Sequence, residues 1–216
     1  MELFSLLKNE TFDPRDPKIQ QIVDFILKRK EAEPLFSDPN NQVLIRKVIQ
    51  AIIWMYQAYD VVLQNSNFID FDDQKLRPYI LLNNNPTKLS SLQGKYNEVI
   101  VDEFQDINKL DFEFIKLITK EARLVVTGDD DQAIYGFRGC SPEYILNLEE
   151  SIQRSVTTYK LRSNYRSPKN IVYHSTCLIR NNQWREEKDP IPEIKTSANI
   201  KVLSSLSSGL EAKLIV

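Results

Sequence analysis

Three stretches of the chain combine acidic, amide, aromatic and basic side chains at spacings that suit phosphate chemistry. Asp102-Glu103-Phe104-Gln105-Asp106 directly follows the apolar run Val99-Ile100-Val101. Gly128-Asp129-Asp130-Asp131-Gln132-Ala133-Ile134-Tyr135-Gly136-Phe137-Arg138-Gly139 follows Leu124-Val125-Val126-Thr127, and Leu161-Arg162-Ser163-Asn164-Tyr165-Arg166-Ser167 comes third. Short unbroken apolar runs read as buried strands of a parallel sheet covered on both faces. Ligands of such sheets sit at the carboxyl ends of the strands. Acidic side chains there can hold Mg2+, directly or through its waters, with the ion shared by a phosphate. Asp102 is the candidate metal residue on this reading. Glu103 would orient or deprotonate an attacking water, a contribution of roughly 10^2 to 10^4 in rate. Gln132 is neutral, can donate and accept, and can sense a γ-phosphate. Tyr135 and Phe137 lie beside Arg138 in a polar loop punctuated by glycine. They suit stacking on unpaired bases, worth ~1 to 3 kcal/mol per base, or packing of the loop on itself. An Asp-Glu pair alone carries little information in a chain with 30 acidic residues. The order strand, acid pair, helix, strand, acid cluster is what suggests nucleotide-phosphate chemistry.

The elements that must position these residues change in character near residue 95. Before it the pattern is helical. Asp16-Pro17 is a cap with proline at the first helical position, followed by Ile19, Ile22, Val23 and Ile26 at helix spacing. A second helix opens near Asp38-Pro39, with Val48, Ile52, Met55, Tyr56, Tyr59, Val62 and Leu63 expected on its inner face. A third begins at Asp70-Phe71-Asp72-Asp73, contains Pro78 and ends in the Asn83-Asn84-Asn85-Pro86 turn, with Asp70 read as its cap. From Asn97 strands and helices alternate: strand 98–102, helix 107–120, strand 123–127, a helix from Ser141-Pro142, and strand 156–161. Ser167-Pro168 then caps a helix with Ile171, Ser175, Leu178 and Ile179 inward. A polar linker 181–198, a strand 200–203 and a terminal helix from Glu211 complete the expected α/β layout.

Composition narrows the field further. With 216 residues and 42% hydrophobic content the chain can bury one large or two small cores. Its most apolar long stretch, 42–63, is interrupted by Arg46, Lys47, Gln50 and Gln57, so no membrane span is expected. No signal peptide is read at the start, and a cytoplasmic setting is expected. Cys140 and Cys177 are far apart, and His174 is the single histidine, so neither a Cys-x-x-Cys motif nor a histidine-rich metal site is available. Net charge is −2, which says nothing about nucleic acid; its distribution says more. Arg154, Lys160, Arg162, Arg166, Lys169, Arg180 and Arg185 form a basic run without an acid among them, whereas six acids lie between Glu98 and Glu113.

The three stretches together resemble motifs II, III and IV of the UvrD/Rep family of superfamily 1 DNA helicases, in order and in spacing. The resemblance runs from about Phe68 to the C-terminus. It implies a RecA-like P-loop NTPase domain built on a parallel sheet, preceded by a helical inserted subdomain (1–95), continuing over 96–165, with a second RecA-like domain beginning at 166–216. ATP and Mg2+ are the implied cofactors, and single-stranded and duplex DNA the implied partners. Gln132 is then the γ-phosphate sensor, Asp129 and Asp131 fix its loop, and Arg138 ties that loop to the nucleotide site. Tyr165 stacks on adenine, and Arg166 reaches the γ-phosphate across the cleft between domains, a contribution of ~10^3 to 10^5 to turnover. Asp70 to Asp73 mark the return from the inserted subdomain. The family usually has Trp where this chain has Phe137 and Ala where it has Cys140; the smaller ring should stack more weakly.

One expected part is missing. An NTPase of this kind needs a Gly-x-x-x-x-Gly-Lys-Ser/Thr loop to cradle phosphates. The five glycines are Gly94, Gly128, Gly136, Gly139 and Gly209; the only Gly-Lys is Gly94-Lys95, followed by Tyr96 and with Leu89 at the first glycine position. The expectation is therefore a fragment of a longer helicase, of 3′ to 5′ polarity by resemblance, that turns over no ATP alone. Two other readings stand beside it: a free-standing DNA- or protein-binding module with a degenerate NTPase fold, and a Mg2+-dependent nuclease or phosphatase built on Asp129 to Asp131, which requires further converging carboxylates.

Overall fold

The computed structural model describes residues 2–16, 19 and 39–215. The chain divides into two compact units, Met1–Arg154 and Ser155–Val216. The helix expected after Asp16-Pro17, with Ile22, Val23 and Ile26, lies outside the described residues.

The first unit opens with α1 (Glu2–Asn9), α2 (Pro39–Asn65), α3 (Asp73–Asn83) and α4 (Pro86–Gln93). Helix α2 turns Ile49, Ile53, Tyr56 and Asp60 inward, a stripe at steps of four, three and four. The expected face is met in part: Tyr56 is buried and Ile52 packs against the same core, whereas Val48, Met55 and Val62 are exposed. The helix is rotated because Leu7 joins Ile49, Ile53 and Tyr56 in one cluster, and the Phe4 ring stacks on Tyr56 at 5.4 Å. Beside this apolar core lies a buried ionic network. Lys8 donates to Asp70 at 2.6 Å and to Asp73 at 2.8 Å, and Arg77 donates to Asp73 at 3.1 Å and Asp60 at 3.3 Å. Asp70 also accepts the Asp73 N–H at 2.9 Å, a helix-start bond like the cap expected of it. At the Asn83 turn, Asn85 accepts from the Lys88 N–H at 3.0 Å and Pro86 takes the first turn of α4.

Strands β1 (Glu98–Val101) and β2 (Arg123–Val126) pair in parallel, Val99 with Leu124 and Val101 with Val126. Between them lie a 3₁₀ turn, Phe104–Asp106, and α5 (Lys109–Ile118), somewhat shorter than the expected helix. A capping box starts α5: Asn108 Oδ1 accepts the Asp111 N–H at 3.0 Å, and the Asp111 carboxylate accepts the Asn108 N–H. Lys75 pairs with Asp111 at 2.9 Å, and Gln93 Nε2 donates to Leu117 O at 2.8 Å. These ties bind α3 and α4 to α5, so the helices before residue 95 and the strands after it share one compact unit. The strands are not buried on both faces: Ile100 is 67% exposed, because among the described residues the sheet has two strands and nothing covers its second face. The helix expected from Ser141-Pro142 is two short pieces, α6 (Glu143–Leu146) and α7 (Leu148–Ile152), broken at Asn147.

The second unit holds β3 (Ser163–Pro168), α8 (Lys169–Ile179), β4 (Ile191–Ile194) and α9 (Ser208–Ile215). Four expectations are corrected. Residues 156–161 form no strand; β3 is the Asn164-Tyr165-Arg166-Ser167 motif itself, paired in parallel with β4. Strand β4 falls inside the expected linker, and 200–203 is irregular. On α8 the buried residue is Val172, while Ile171, Ser175 and Leu178 are exposed, because a two-stranded sheet covers a narrow strip of the helix.

Candidate functional site

The parallel register sets the site. With Val101 opposite Val126, the residues leaving both strands emerge side by side: Thr127 N–H donates to Val101 O at 2.9 Å, and Phe104 N–H returns to Thr127 O at 2.9 Å. Asp102 therefore stands next to Thr127, whose hydroxyl donates to Asp102 Oδ1 in a short hydrogen bond. The Glu103 N–H adds a second bond to Oδ1 at 3.0 Å. The Thr127 hydroxyl and then the Glu103 amide hold the Asp102 carboxyl below its ordinary pKa. Asp102 is exposed and ionised near neutral pH. Both bonds fall on one oxygen, so the other is available to a cation or its water.

Glu103 adopts φ 53° and ψ 43°, a left-handed conformation that a residue with a Cβ pays for, of order 1–3 kcal/mol. Its position is maintained from below. Gln105, 1% exposed, donates through Nε2 to Glu103 Oε2 at 2.7 Å and accepts the Asp129 N–H on Oε1 at 3.0 Å. Gly128 passes so close to Gln105 that an added Cβ would lie 2.7 Å from Oε1. Asp129 closes the next turn: its carboxylate accepts the Asp131 N–H at 3.2 Å and Gln132 Nε2 at 2.7 Å. Asp102, Glu103, Asp129, Asp131 and Gln132 are thus one hydrogen-bonded constellation at the carboxyl ends of the two strands. Cys140 Sγ donates to Asp106 O at 2.8 Å, joining the far ends of the two motifs. Burial, then the charges of Asp106 and Asp111, push this thiol above its ordinary pKa.

Tyr135 precedes a 3₁₀ turn, Gly136–Arg138, that contains Phe137 and is ended by Gly139 at φ 81°. Phe137 is 78% exposed, and its ring is 6.1 Å from that of Tyr135. The Arg138 guanidinium lies over both rings, 5.3 Å from Tyr135 and 5.6 Å from Phe137. The loop presents two rings and a cation to solvent.

In the second unit, Asn164 Oδ1 accepts the N–H groups of Arg166 at 3.1 Å and Ser167 at 2.8 Å. The β3–β4 register shifts between Asn164 and Pro168. This fold-back leaves Tyr165 and Arg166 exposed in the middle of the strand.

Three contributors escape the sequence reading. Thr127 carries no signal beyond a hydroxyl at a strand end. Gln105 stands within the first motif, but its burial and its link to Asp129 are not local properties. Gly128 is the readable clue, a glycine between a strand and acids, where a close approach is common.

The UvrD/REP helicase N-terminal domain matches residues 2–153. The chain belongs to the UvrD/Rep helicase family. Among its UvrD/Rep relatives, the ATP-dependent DNA helicase Rep of Escherichia coli (strain K12) is 38% identical over 159 residues, 73% of this chain and 24% of that protein. The probable DNA helicase II homolog of Mycoplasma capricolum subsp. capricolum is 33% identical over 193 residues, 88% of this chain and 27% of that protein. The ATP-dependent DNA helicase PcrA of Staphylococcus epidermidis (strain ATCC 35984) is 32% identical over 168 residues, 77% of this chain and 23% of that protein. The chain spans about a quarter of the length of these curated relatives.

The Mg2+ that UvrD/Rep membership implies fits the donor set. Among the described residues no group of three or more His, Cys, Asp or Glu converges on one point. A single ionised carboxylate with an available oxygen suits an ion held mostly by water and phosphate, as Mg2+ is. The nuclease reading needs a converging carboxylate set that the described residues do not supply. No helix among them is long and apolar enough to cross a membrane.

Proposed function

We propose that this chain carries the hydrolytic and DNA-coupling motifs of an ATP-dependent DNA helicase that translocates on single strands, of 3′ to 5′ polarity by family resemblance, and works in the cytoplasm. Its 96–165 segment is the C-terminal part of a first RecA-like domain, 1–95 an inserted helical subdomain, and 166–216 the start of a second RecA-like domain. The observation that carries the reading is the hydrogen-bonded chain from Asp102 through Glu103, Gln105 and Asp129 to Gln132. It supports the reading because Asp102, Glu103 and Gln132, taken as metal-holding carboxylate, base and neutral sensor, share one hydrogen-bonded strand-end frame.

Bound Mg2+ would neutralise charge on the transferred phosphate. Asp102 would hold that cation or its water. Glu103 takes the proton of the attacking water, and its left-handed backbone and the Gln105 bond aim its carboxylate. Gln132 senses the γ-phosphate, and its bond to Asp129 keeps it in the loop that continues into Tyr135 and Phe137. Those rings stack on unpaired bases, and Arg138, seated on both, links base contact to the nucleotide site. Tyr165 stacks on the adenine and Arg166 serves the γ-phosphate with a permanent forked charge.

The phosphate-cradling loop comes from sequence outside these 216 residues. ATPase assays on the full-length protein and on the 216-residue chain test the reading. The full-length protein should hydrolyse ATP faster with oligo(dT), and Glu103→Gln should lower turnover by roughly 10^2 to 10^4. The 216-residue chain alone should be inert. Turnover by that chain which Glu103→Gln abolishes would overturn the dependence on an outside loop. A native gene product of 25.2 kDa that binds single strands without ATPase activity would favour the free-standing binding module instead.

A further inference from the structure

A buried side-chain amide needs partners for both its donor and its acceptor. Gln105 is 1% exposed, and both of its partners belong to the site. The orientation of the amide is fixed by chemistry: the Asp129 N–H can only donate, so it requires Oε1, and Nε2 is then left to donate to the Glu103 carboxylate. Glu103 itself is exposed, with a long side chain that solvent alone would leave unoriented. Gln105 supplies the Glu103 carboxylate with a hydrogen bond from a buried group. Gln105 is in turn hung from the backbone of the loop that carries Gln132, where Gly128 closes over it with no room for a Cβ. A shift of residues 128–129 must move the Gln105 amide, and the amide moves with it the carboxylate it holds.

We infer that Gln105 is a positioning residue: it transmits the place of the Gln132 loop to the aim of the Glu103 carboxylate. This rests on the ATPase reading above and adds to it the path by which phosphate sensing and water activation are made simultaneous. Gln105 touches no substrate; it acts through Glu103.

The test is steady-state ATPase kinetics with oligo(dT) in the full-length protein. Gln105→Met keeps the length and removes both bonds. Gln105→Glu keeps an acceptor for the Asp129 N–H, so the loop stays anchored, but removes the donor to Glu103. Both should lower kcat by about 10- to 100-fold, the scale of a misaimed catalytic group, with KM for ATP changed less than about twofold. On a Glu103→Gln background, adding Gln105→Met should cost nothing further, because its effect passes through Glu103. Should Gln105→Met fail to fold, Gln105→Glu decides alone. Unchanged kcat in Gln105→Glu overturns the inference, as does a loss in Gln105→Met that multiplies with Glu103→Gln, or a KM that rises in step. A wild-type protein without ATPase activity defeats the underlying reading, and the inference with it, and is distinguishable from active wild type with an indifferent Gln105.

Discussion

Replacing Gly128 with alanine probes whether the two acidic motifs are locked together through the Gln105 amide. Gly128 does not adopt a left-handed φ, so space rather than conformation selects glycine there. A Cβ at this position would lie 2.7 Å from Gln105 Oε1, 2.8 Å from Ile145 Cδ1 and 3.2 Å from Phe104 N. The Ile145 methyl can swing aside. The Phe104 backbone cannot, because its N–H is spent on Thr127 O at 2.9 Å. The new methyl therefore presses on Gln105. Moving that amide forfeits its bond to Glu103, about 0.5–1.5 kcal/mol net, and strands the Asp129 N–H at about 1–3 kcal/mol. Against this, Gly→Ala stiffens the unfolded chain and returns about 0.4–1 kcal/mol. The net expectation is a loss of roughly 0.5–4 kcal/mol, centred near ~2 kcal/mol, local to the strand ends. Amide hydrogen exchange reads it directly: the Thr127 and Phe104 amides should exchange about 10- to 100-fold faster, at 1.4 kcal/mol per tenfold. The Tyr56 amide in the helical core should keep its rate. In a Gln105→Ala background the same substitution should cost much less, since the crowded oxygen is gone and only the yielding Ile145 methyl and the 3.2 Å approach to Phe104 N remain. Equal costs in the two backgrounds, or unchanged protection in the single variant, would refute the account.

Three further outcomes are expected. Lys8→Met should destabilise the chain by up to about 3–5 kcal/mol in urea unfolding, because it leaves the buried Asp73 carboxylate with Arg77 alone and removes the cation from half-buried Asp70; a variant as stable as wild type would contradict the network. Burial pushes the Asp70 carboxyl up, but the hydrogen bonds from Lys8 and the Asp73 amide, the Lys8 charge and the Tyr59 hydroxyl outweigh it, so the folded pKa lies below the unfolded one. That contribution is fully present above the unfolded value of about 3.9 and is lost as pH falls through the folded value, so Asp70→Asn should flatten the acid limb of the stability curve below about pH 4. An acid limb identical to wild type would count against this linkage. Tyr135→Ala and Phe137→Ala should each weaken oligo(dT) binding about 5- to 150-fold by fluorescence anisotropy, at ~1 to 3 kcal/mol per stacked base. Unaltered affinity in both would mean the rings serve the loop alone.

The legible and illegible parts of the chain divide along a physical line. The order of strands and acids at 98–106 and 123–132 is written in local sequence, because Val99 to Val101 and Leu124 to Val126 are short apolar runs with carboxylates just past their ends. The face of α2 is not local. Val48, Met55 and Val62 offer as good a helical stripe as Ile49, Ile53 and Tyr56, and the choice is made by Leu7 and Phe4 on another helix. The strand through Asn164 to Ser167 contains no apolar run that would mark it; its partner, Ile191 to Ile194, is distant in sequence, and strand formation depends on such partners more than on propensity. The same holds for the site. Glu103 and Gln132 announce themselves by type and motif, yet their connection depends on Gln105 meeting the Asp129 amide, 24 residues on. That meeting follows from the β1–β2 register, Val101 against Val126. A slip of one residue would turn every side chain of one strand to the opposite face and set Gln105 against a different part of the loop. The chemistry of the site is thus encoded in residue types, whereas its coupling is encoded in a register, which is why Gly128, the residue that lets the two motifs close together, is the most informative of those that carry no reactive group.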